Sequence, residues 1–173
     1  MSIGKLGYIF AKIKEKILKN KECINDFYRR WGVLVGRNTI ICGYMRISEP
    51  QLVEIKDDCV ISSNVTFITH DHSINKVTNQ GSNLFGRIVV GNNCFVGQNA
   101  TLLYGVELAD NIIVGSGSVV TKSFKENNII IAGNPAKKIS TWEQFKDRYE
   151  SLAANRDELN DIIAQKSKKI IRR

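Results

Sequence analysis

The sequence predicts an all-β fold, a parallel β-helix of six-residue repeats with a helix at each end. Three observations carry that prediction. From Val90 to Phe124 an aliphatic residue falls every six positions, at Val90, Val96, Leu102, Leu108, Val114 and Val120. A second column of small or branched residues and Cys follows four places later, at Cys94, Ala100, Val106, Ile112 and Ser118. Gly and Asn gather between the columns, at Gly91, Asn92, Asn93, Gly97, Asn99, Asn111, Gly115 and Gly117. A period of six matches neither a helix nor a simple strand, and it is the repeat of a stacked β-coil.

Each unit supplies one side of a triangular cross-section, so three make a turn of about eighteen residues. Val90, Leu108 and the Phe124 to Lys125 position are therefore expected in successive layers. The aliphatic column points inward and stacks on its copies. The second column lies near a corner, where less radius is available, and Gly and Asn adopt the corner backbone at least cost. A β-sandwich would not hold one register through six units.

A weaker copy precedes this run. Val35, Ile41 and Ile47 keep the period with Thr39, Met45 and Gln51 as companions, and Ile55, Ile61 and Phe67 resume it with Cys59 and Val65. The two-residue slip between them falls at Ser48, Glu49, Pro50 and Gln51, where Pro removes a ladder donor and implies a bulged corner. The repeat stops after Phe67 and restarts at Val90, so residues 70–87 read as a loop excursion. Long irregular segments in a repeat fold tend to carry function. The expected organisation is an N-terminal helical cap over 1–34, the coil over 35–139, and a C-terminal helix over 140–173.

Both ends are helical and basic. Residues 1–30 hold eight Lys or Arg against three acids, and residues 137–173 hold ten against six, while the middle is nearly neutral. In the first helix Ile3, Leu6, Phe10, Ile13 and Ile17 share a face. That face either caps the open end of the coil or lies on a membrane surface, and the cap is the preferred reading. No basic motif with interleaved aromatics appears, so no nucleic acid is expected. At the other end Thr141 is a candidate N-cap with Gln144 completing a capping box. Trp142, Phe145, Tyr149 and Leu152 follow at helical spacing and are expected to pack on the last coil or a neighbouring subunit. Leu159, Ile162 and Ile163 then lead into a tail of Lys166, Lys168, Lys169, Arg172 and Arg173, whose last turn is expected to fray. The chain has no run of about eighteen apolar residues and no cleavable leader pattern, and its four cysteines lack C-x-x-C spacing. A cytoplasmic protein is expected, with Cys59 and Cys94 as small core residues.

Several blocks resemble the hexapeptide acyltransferases. They are Phe67-Ile68-Thr69-His70-Asp71, the loop ending Asn83-Leu84-Phe85-Gly86, Val114-Gly115-Ser116-Gly117-Ser118-Val119-Val120-Thr121-Lys122, and Ala132-Gly133-Asn134-Pro135-Ala136-Lys137. More narrowly the chain is similar to O-acetyltransferases of maltose, galactosides, and capsular or lipopolysaccharide sugars, over about Val35 to Ile139. The resemblance implies a left-handed β-helix, a homotrimer with active sites between subunits, and acetyl transfer from acetyl-CoA to a saccharide without a metal. It implies donor contacts at Gly97, Gly115, Ser116, Gly117, Thr121, Lys122, Asn134, Pro135 and Lys137. Of these, Gly115 and Gly117 also have a structural reason to be Gly, whereas Lys122 and Lys137 have no core role. Asn64, Phe85 and Phe95 are candidates for the acceptor side. Phe95 stands where many relatives carry Trp, which keeps a flat surface and loses an indole donor.

A sugar hydroxyl is a poor nucleophile and needs a base within hydrogen-bond reach. The only two histidines, His70 and His72, stand where the coil breaks. Two residues apart on an extended segment, they share a face, and the residue pattern leaves both open. The Thr-His-Asp order of the sugar acetyltransferases that the chain resembles favours His70, with Asp71 or a backbone carbonyl fixing its tautomer. Two histidines cannot supply the three ligands of a zinc hydratase on this fold. A sugar-nucleotide N-acetyltransferase, an antibiotic acetyltransferase and a non-catalytic trimeric scaffold are the alternatives.

Overall fold

The computed structural model describes residues 4–20, 22–78, 80–164, 166, 168, 169 and 171. Ile3 of the predicted apolar face and Arg172 and Arg173 of the basic tail lie outside the described residues. The chain divides into two units, Met1–Ile139 and Ser140–Arg173.

The first unit opens with α1 (Lys5–Leu18) and α2 (Glu22–Arg30). Short strands then wind in triplets. The first coil is β1 (Leu34–Val35), β2 (Ile40–Ile41) and β3 (Arg46–Ile47), and the second is β4 (Val53–Ile55), β5 (Val60–Ile61) and β6 (Thr66–Ile68). An excursion holds β7 (His70–Asp71), the single turn α3 (Asn75–Thr78) and β8 (Leu84–Phe85). The third coil is β9 (Ile88–Val90), β10 (Phe95–Val96) and β11 (Thr101–Leu103), and the fourth is β12 (Glu107–Leu108), β13 (Ile112–Val114) and β14 (Val119–Val120). β15 (Ile129–Gly133) and β16 (Ala136–Thr141) follow. Every third strand joins the same parallel sheet: β1, β4, β9 and β12 form the first, β2, β5, β10, β13 and β15 belong to the second, and β3, β6, β11 and β14 form the third.

Register shows the repeat directly. Val90 pairs with Leu108, one full turn on, and Leu108 bridges to Phe124, in the expected layer but two residues short of a full turn. Both columns from Val90 to Val120 are buried. Across the slip Val35 pairs with Ile55 and Ile41 with Ile61, two residues more than a regular turn. The extra residues form a single 3-10 turn at Pro50–Leu52, with Pro50 at its start. Gln51, expected beside the core, is exposed there, and Val53 fills the inward place.

The corner residues divide into two kinds. Asn93, Asn99, Asn111 and Gly117 adopt positive φ, at 52°, 59°, 58° and 70°. Gly91 and Gly97 do not, and are there because the next coil comes too close: an added Cβ would lie 2.4 Å from the Ala109 carbonyl oxygen and 2.5 Å from the Ser116 nitrogen.

The open start of the coil is covered by α2. Its Ile24, Asn25 and Tyr28 are buried, the Met45 N–H donates to the Tyr28 hydroxyl at 2.8 Å, and the Asn25 amide donates to the Thr39 carbonyl at 2.9 Å. α1 packs on α2 through Tyr8, against Phe27, and through Ala11. Its predicted apolar face is instead outward, with Leu6 67% and Ile17 73% exposed.

In the second unit Thr141 caps α4 (Trp142–Tyr149) with both arms of the capping box formed. A 3-10 turn at Glu150–Leu152 and α5 (Leu159–Ile163) follow.

Candidate active site

The site begins where β6 leaves the third sheet. Thr69 is buried at this corner, and its carbonyl accepts the Gly86 N–H at 3.1 Å, closing the base of the excursion. His70 then opens β7, opposite Phe85 of the antiparallel β8, with ring centroids 5.8 Å apart. From the preceding coil Glu49 reaches up, its Oε2 2.9 Å from His70 Nδ1. The same carboxylate oxygen accepts the Thr69 hydroxyl, and the Glu49 N–H donates to Thr69 Oγ1 at 3.2 Å. Burial pushes the Glu49 carboxyl up, but the hydrogen bonds from Thr69 and His70 outweigh it and hold the group below its ordinary value. An ionised carboxylate only accepts, so in the neutral imidazole Nδ1 carries the proton and Nε2 the lone pair.

Asp71 serves a different contact from the one expected of it. Its carboxylate accepts the Ser73 N–H at 2.7 Å and the Tyr104 hydroxyl at 3.3 Å, and these bonds, that of Ser73 first, hold it below its ordinary value. Tyr104 follows β11, so Asp71 ties the excursion to the next coil. His72 is exposed and faces amides: Nδ1 is 2.6 Å from Asn83 Oδ1 and 2.9 Å from Asn75 Nδ2. Ser82 N–H donates to Asn75 Oδ1 at 2.6 Å, making this an internal tie of the excursion.

Beside His70 a groove of about 440 Å³ runs along the third sheet, lined by Tyr44, Arg46, Ser48, Thr66 and Ile68. A larger cavity of about 500 Å³, near Arg29, Glu54 and Lys56, lies at another corner. Its Arg29 is engaged with Glu22 and with the carbonyls of Val35 and Gly36.

Most of the remaining sequence candidates fall on two edges of the third sheet. Phe85, Thr121 and Lys122 share the His70 corner and are exposed, with Lys122 Nζ 5.8 Å from the Phe124 ring centroid. Asn64, Gly97, Gly115, Ser116 and Gly117 line the corner between the second and third sheets. Asn64 has φ +60°, and an added Cβ at Gly115 would lie 2.9 Å from the Ala132 Cβ. Asn134, Pro135 and Lys137 are exposed where β15 gives way to β16, and the Asn134–Pro135 peptide is cis. Phe95 stands on the outer face of the second sheet between Val60 and Ile113. One chain therefore does not bring the glycine edge to His70.

The family model described as the hexapeptide repeat of succinyl-transferase matches residues 87–122. Galactoside O-acetyltransferase of Escherichia coli (strain K12) is 30% identical over 61% of this chain and 52% of its own length. Protein CapG of Staphylococcus aureus is 37% identical over 161 residues, 88% of each chain. The chain belongs to the hexapeptide-repeat acetyltransferases. Among solved members, a hexapeptide-repeat-containing acetyltransferase from Vibrio cholerae O1 biovar eltor, complexed with acetyl coenzyme A, is 17% identical over 79% of this chain and 86% of that one, with a TM-score of 0.52. For a hexapeptide-repeat acetyltransferase the residue that sequence reading missed is Glu49. It lies inside the slip, and the slip itself was the available signal: a two-residue bulge placed one coil from the His-bearing break.

Proposed function

We propose that this protein is an acetyl-CoA-dependent O-acetyltransferase acting on a saccharide or a saccharide precursor, with His70 as the general base. The observation that carries the reading is the His70–Glu49 pair at the edge of an open groove. Glu49 holds the imidazole by Nδ1, leaving Nε2 to take the proton of an acceptor hydroxyl. The imidazolium formed is stabilised by the ionised carboxylate, and His70 then gives its proton to the leaving thiolate. Transfer is direct. Acetyl-CoA supplies the activated thioester when bound. Lys122 and Lys137 fit its anionic groups, because neither has an ion-pair partner among the described residues, whereas Lys125 and Lys138 are held by Glu107 and Glu126.

The coil is read as left-handed and the molecule as a homotrimer. Ile40, Val60, Phe95 and Ile113 form one outward row across the second sheet, an apolar strip suited to a second copy. Such packing would place the glycine edge of one chain, with Gly97, Ser116 and Gly117, opposite the His70 edge of another. The division into a cap over 1–34, a coil over 35–139 and a C-terminal segment from 140 belongs to the same reading, as does a cytoplasmic location. No helix among the described residues is long and apolar enough to cross a membrane.

The test is thiol release from acetyl-CoA against a panel of sugars, sugar nucleotides and aminosugars, with donor binding measured alongside. Turnover on a hydroxyl acceptor that His70→Ala removes, with donor binding retained, supports the proposal. Donor binding without turnover on any acceptor, or transfer confined to amines, would reject the O-acetyl reading.

A further inference from the structure

α1 has two apolar faces, and the fold uses one. Tyr8 and Ala11 face α2 and the core, and Gly7 allows the Phe27 ring to approach closely. On the other side Leu6, Ile9, Phe10, Ile13 and Ile17 recur at three- and four-residue spacing, so they form one stripe. Each is exposed, from 45% at Ile9 to 73% at Ile17. Capping of the coil is already performed by Ile24, Asn25 and Tyr28 of α2, so the stripe is not needed there.

The charges around the stripe identify what covers it. At about 100° per residue, Lys5 and Lys16 border one edge and Lys14 the other. All three are exposed and make no ion pair among the described residues. The only acid of the helix, Glu15, is held by Lys12 at 2.7 Å. A second copy of this face laid against the first would bring lysine borders together with no carboxylate to answer them. An anionic bilayer accepts both features, since the stripe enters the acyl boundary and the lysines extend to the headgroups.

We propose that α1 docks this protein on an anionic lipid surface through Leu6, Ile9, Phe10, Ile13 and Ile17, with Lys5, Lys14 and Lys16 at the headgroups. The docking is peripheral, because a 14-residue helix is too short to span the hydrocarbon core. It is independent of the acetyl-transfer reading.

The experiment is sedimentation of the full chain with vesicles of phosphatidylcholine mixed with phosphatidylglycerol, and with vesicles of phosphatidylcholine alone. Binding is expected to the mixed vesicles, weakening as salt rises. The exposed double substitution Phe10→Ser/Ile13→Ser is expected to lower it by about tenfold or more, and Lys14→Gln and Lys16→Gln by about fivefold each. Thermal midpoint and solution mass should stay at wild-type values in all variants. Absence of binding to mixed vesicles overturns the proposal, as does binding that the serine variant leaves unchanged. A lower solution mass in the serine variant would show that a second copy covers the stripe and would equally overturn it. If the serine variant fails to fold, the lysine variants decide, since loss of lipid binding on charge removal alone requires the anionic surface.

Discussion

Glu49 Oε2 lies 2.9 Å from His70 Nδ1, joining a carboxylate of one coil to an imidazole of the next. The contact turns Nε2 away from Glu49 and biases the ring toward the tautomer a base requires. His70→Ala is expected to lower kcat by about 10²–10⁴-fold. Glu49→Gln should lower it by on the order of a hundredfold, because the imidazole stays while its charge partner goes. Acetyl-CoA affinity should be unchanged in both, which steady-state kinetics and donor titration together would establish. A Glu49→Gln enzyme with wild-type kcat would remove the carboxylate from the mechanism.

His72 provides the contrast. Its ring nitrogens meet the amides of Asn83 and Asn75, and it is exposed. His72→Ala is therefore expected to change kcat by less than about tenfold, far below the general-base range. Its effect should appear instead as faster proteolysis of the excursion, since the tie to Asn83 is lost. A complete loss of turnover in His72→Ala with His70→Ala active would exchange their roles.

The repeat was legible because burial imposes it on every turn: a residue that points inward must be aliphatic, and Val90, Val96 and Leu102 declare the period without reference to distant sequence. The Glu49–His70 pair was not, because it joins residues 21 apart across an irregular slip, and no local periodicity reports such a pair. The α1 stripe reads in the sequence as a cap for a related reason. Amphipathicity shows that a face needs covering and is silent on what covers it, while the cap is made by α2, through Ile24, Asn25 and Tyr28. Gly91 and Gly97 looked like positive-φ residues because sequence does not distinguish a bent backbone from a crowded one.

Acid should act through Glu49. Its carboxyl is held below the ordinary carboxylate value, so the stabilisation it contributes is complete above that value and is lost as pH falls through the depressed one. Thermal midpoints of wild type and Glu49→Gln should thus differ most near neutrality and converge in acid. Parallel curves across that range would mean that the carboxylate adds nothing to folding through its charge.

The cap makes a prediction about stability alone. Tyr28 is fully buried and its hydroxyl receives the Met45 N–H at 2.8 Å, in surroundings whose burial pushes the phenol pKa well up. Tyr28→Phe keeps the ring and leaves that N–H without an acceptor. The expected cost is about 1–3 kcal/mol, a fall in thermal midpoint of about 2–4 °C for each kcal/mol in a chain of this size. Turnover per folded molecule should be unchanged, since Tyr28 is buried under the first coil and does not line the groove beside His70. A midpoint equal to wild type would show that water or a shifted backbone replaces the phenol.

Charge removal at the donor end separates binding from chemistry. Lys122 stands on the His70 corner two coils further on, and Lys137 at the end of the coil, both exposed. Each lacks an acidic partner among the described residues, unlike Lys125, which Glu107 holds at 2.5 Å. A lysine that anchors an anionic donor without touching the reacting atoms contributes equally to ground and transition states, so its loss raises KM and spares kcat. Lys122→Gln and Lys137→Gln are expected to raise the KM for acetyl-CoA by about three- to tenfold each, about 0.6 to 1.4 kcal/mol, and to flatten its dependence on salt. Lys125→Gln, which breaks only an exposed pair, should leave KM near wild type. Equal effects at Lys125 and Lys122 would trace the change to the overall positive field of this end of the molecule and would remove Lys122 from the donor site.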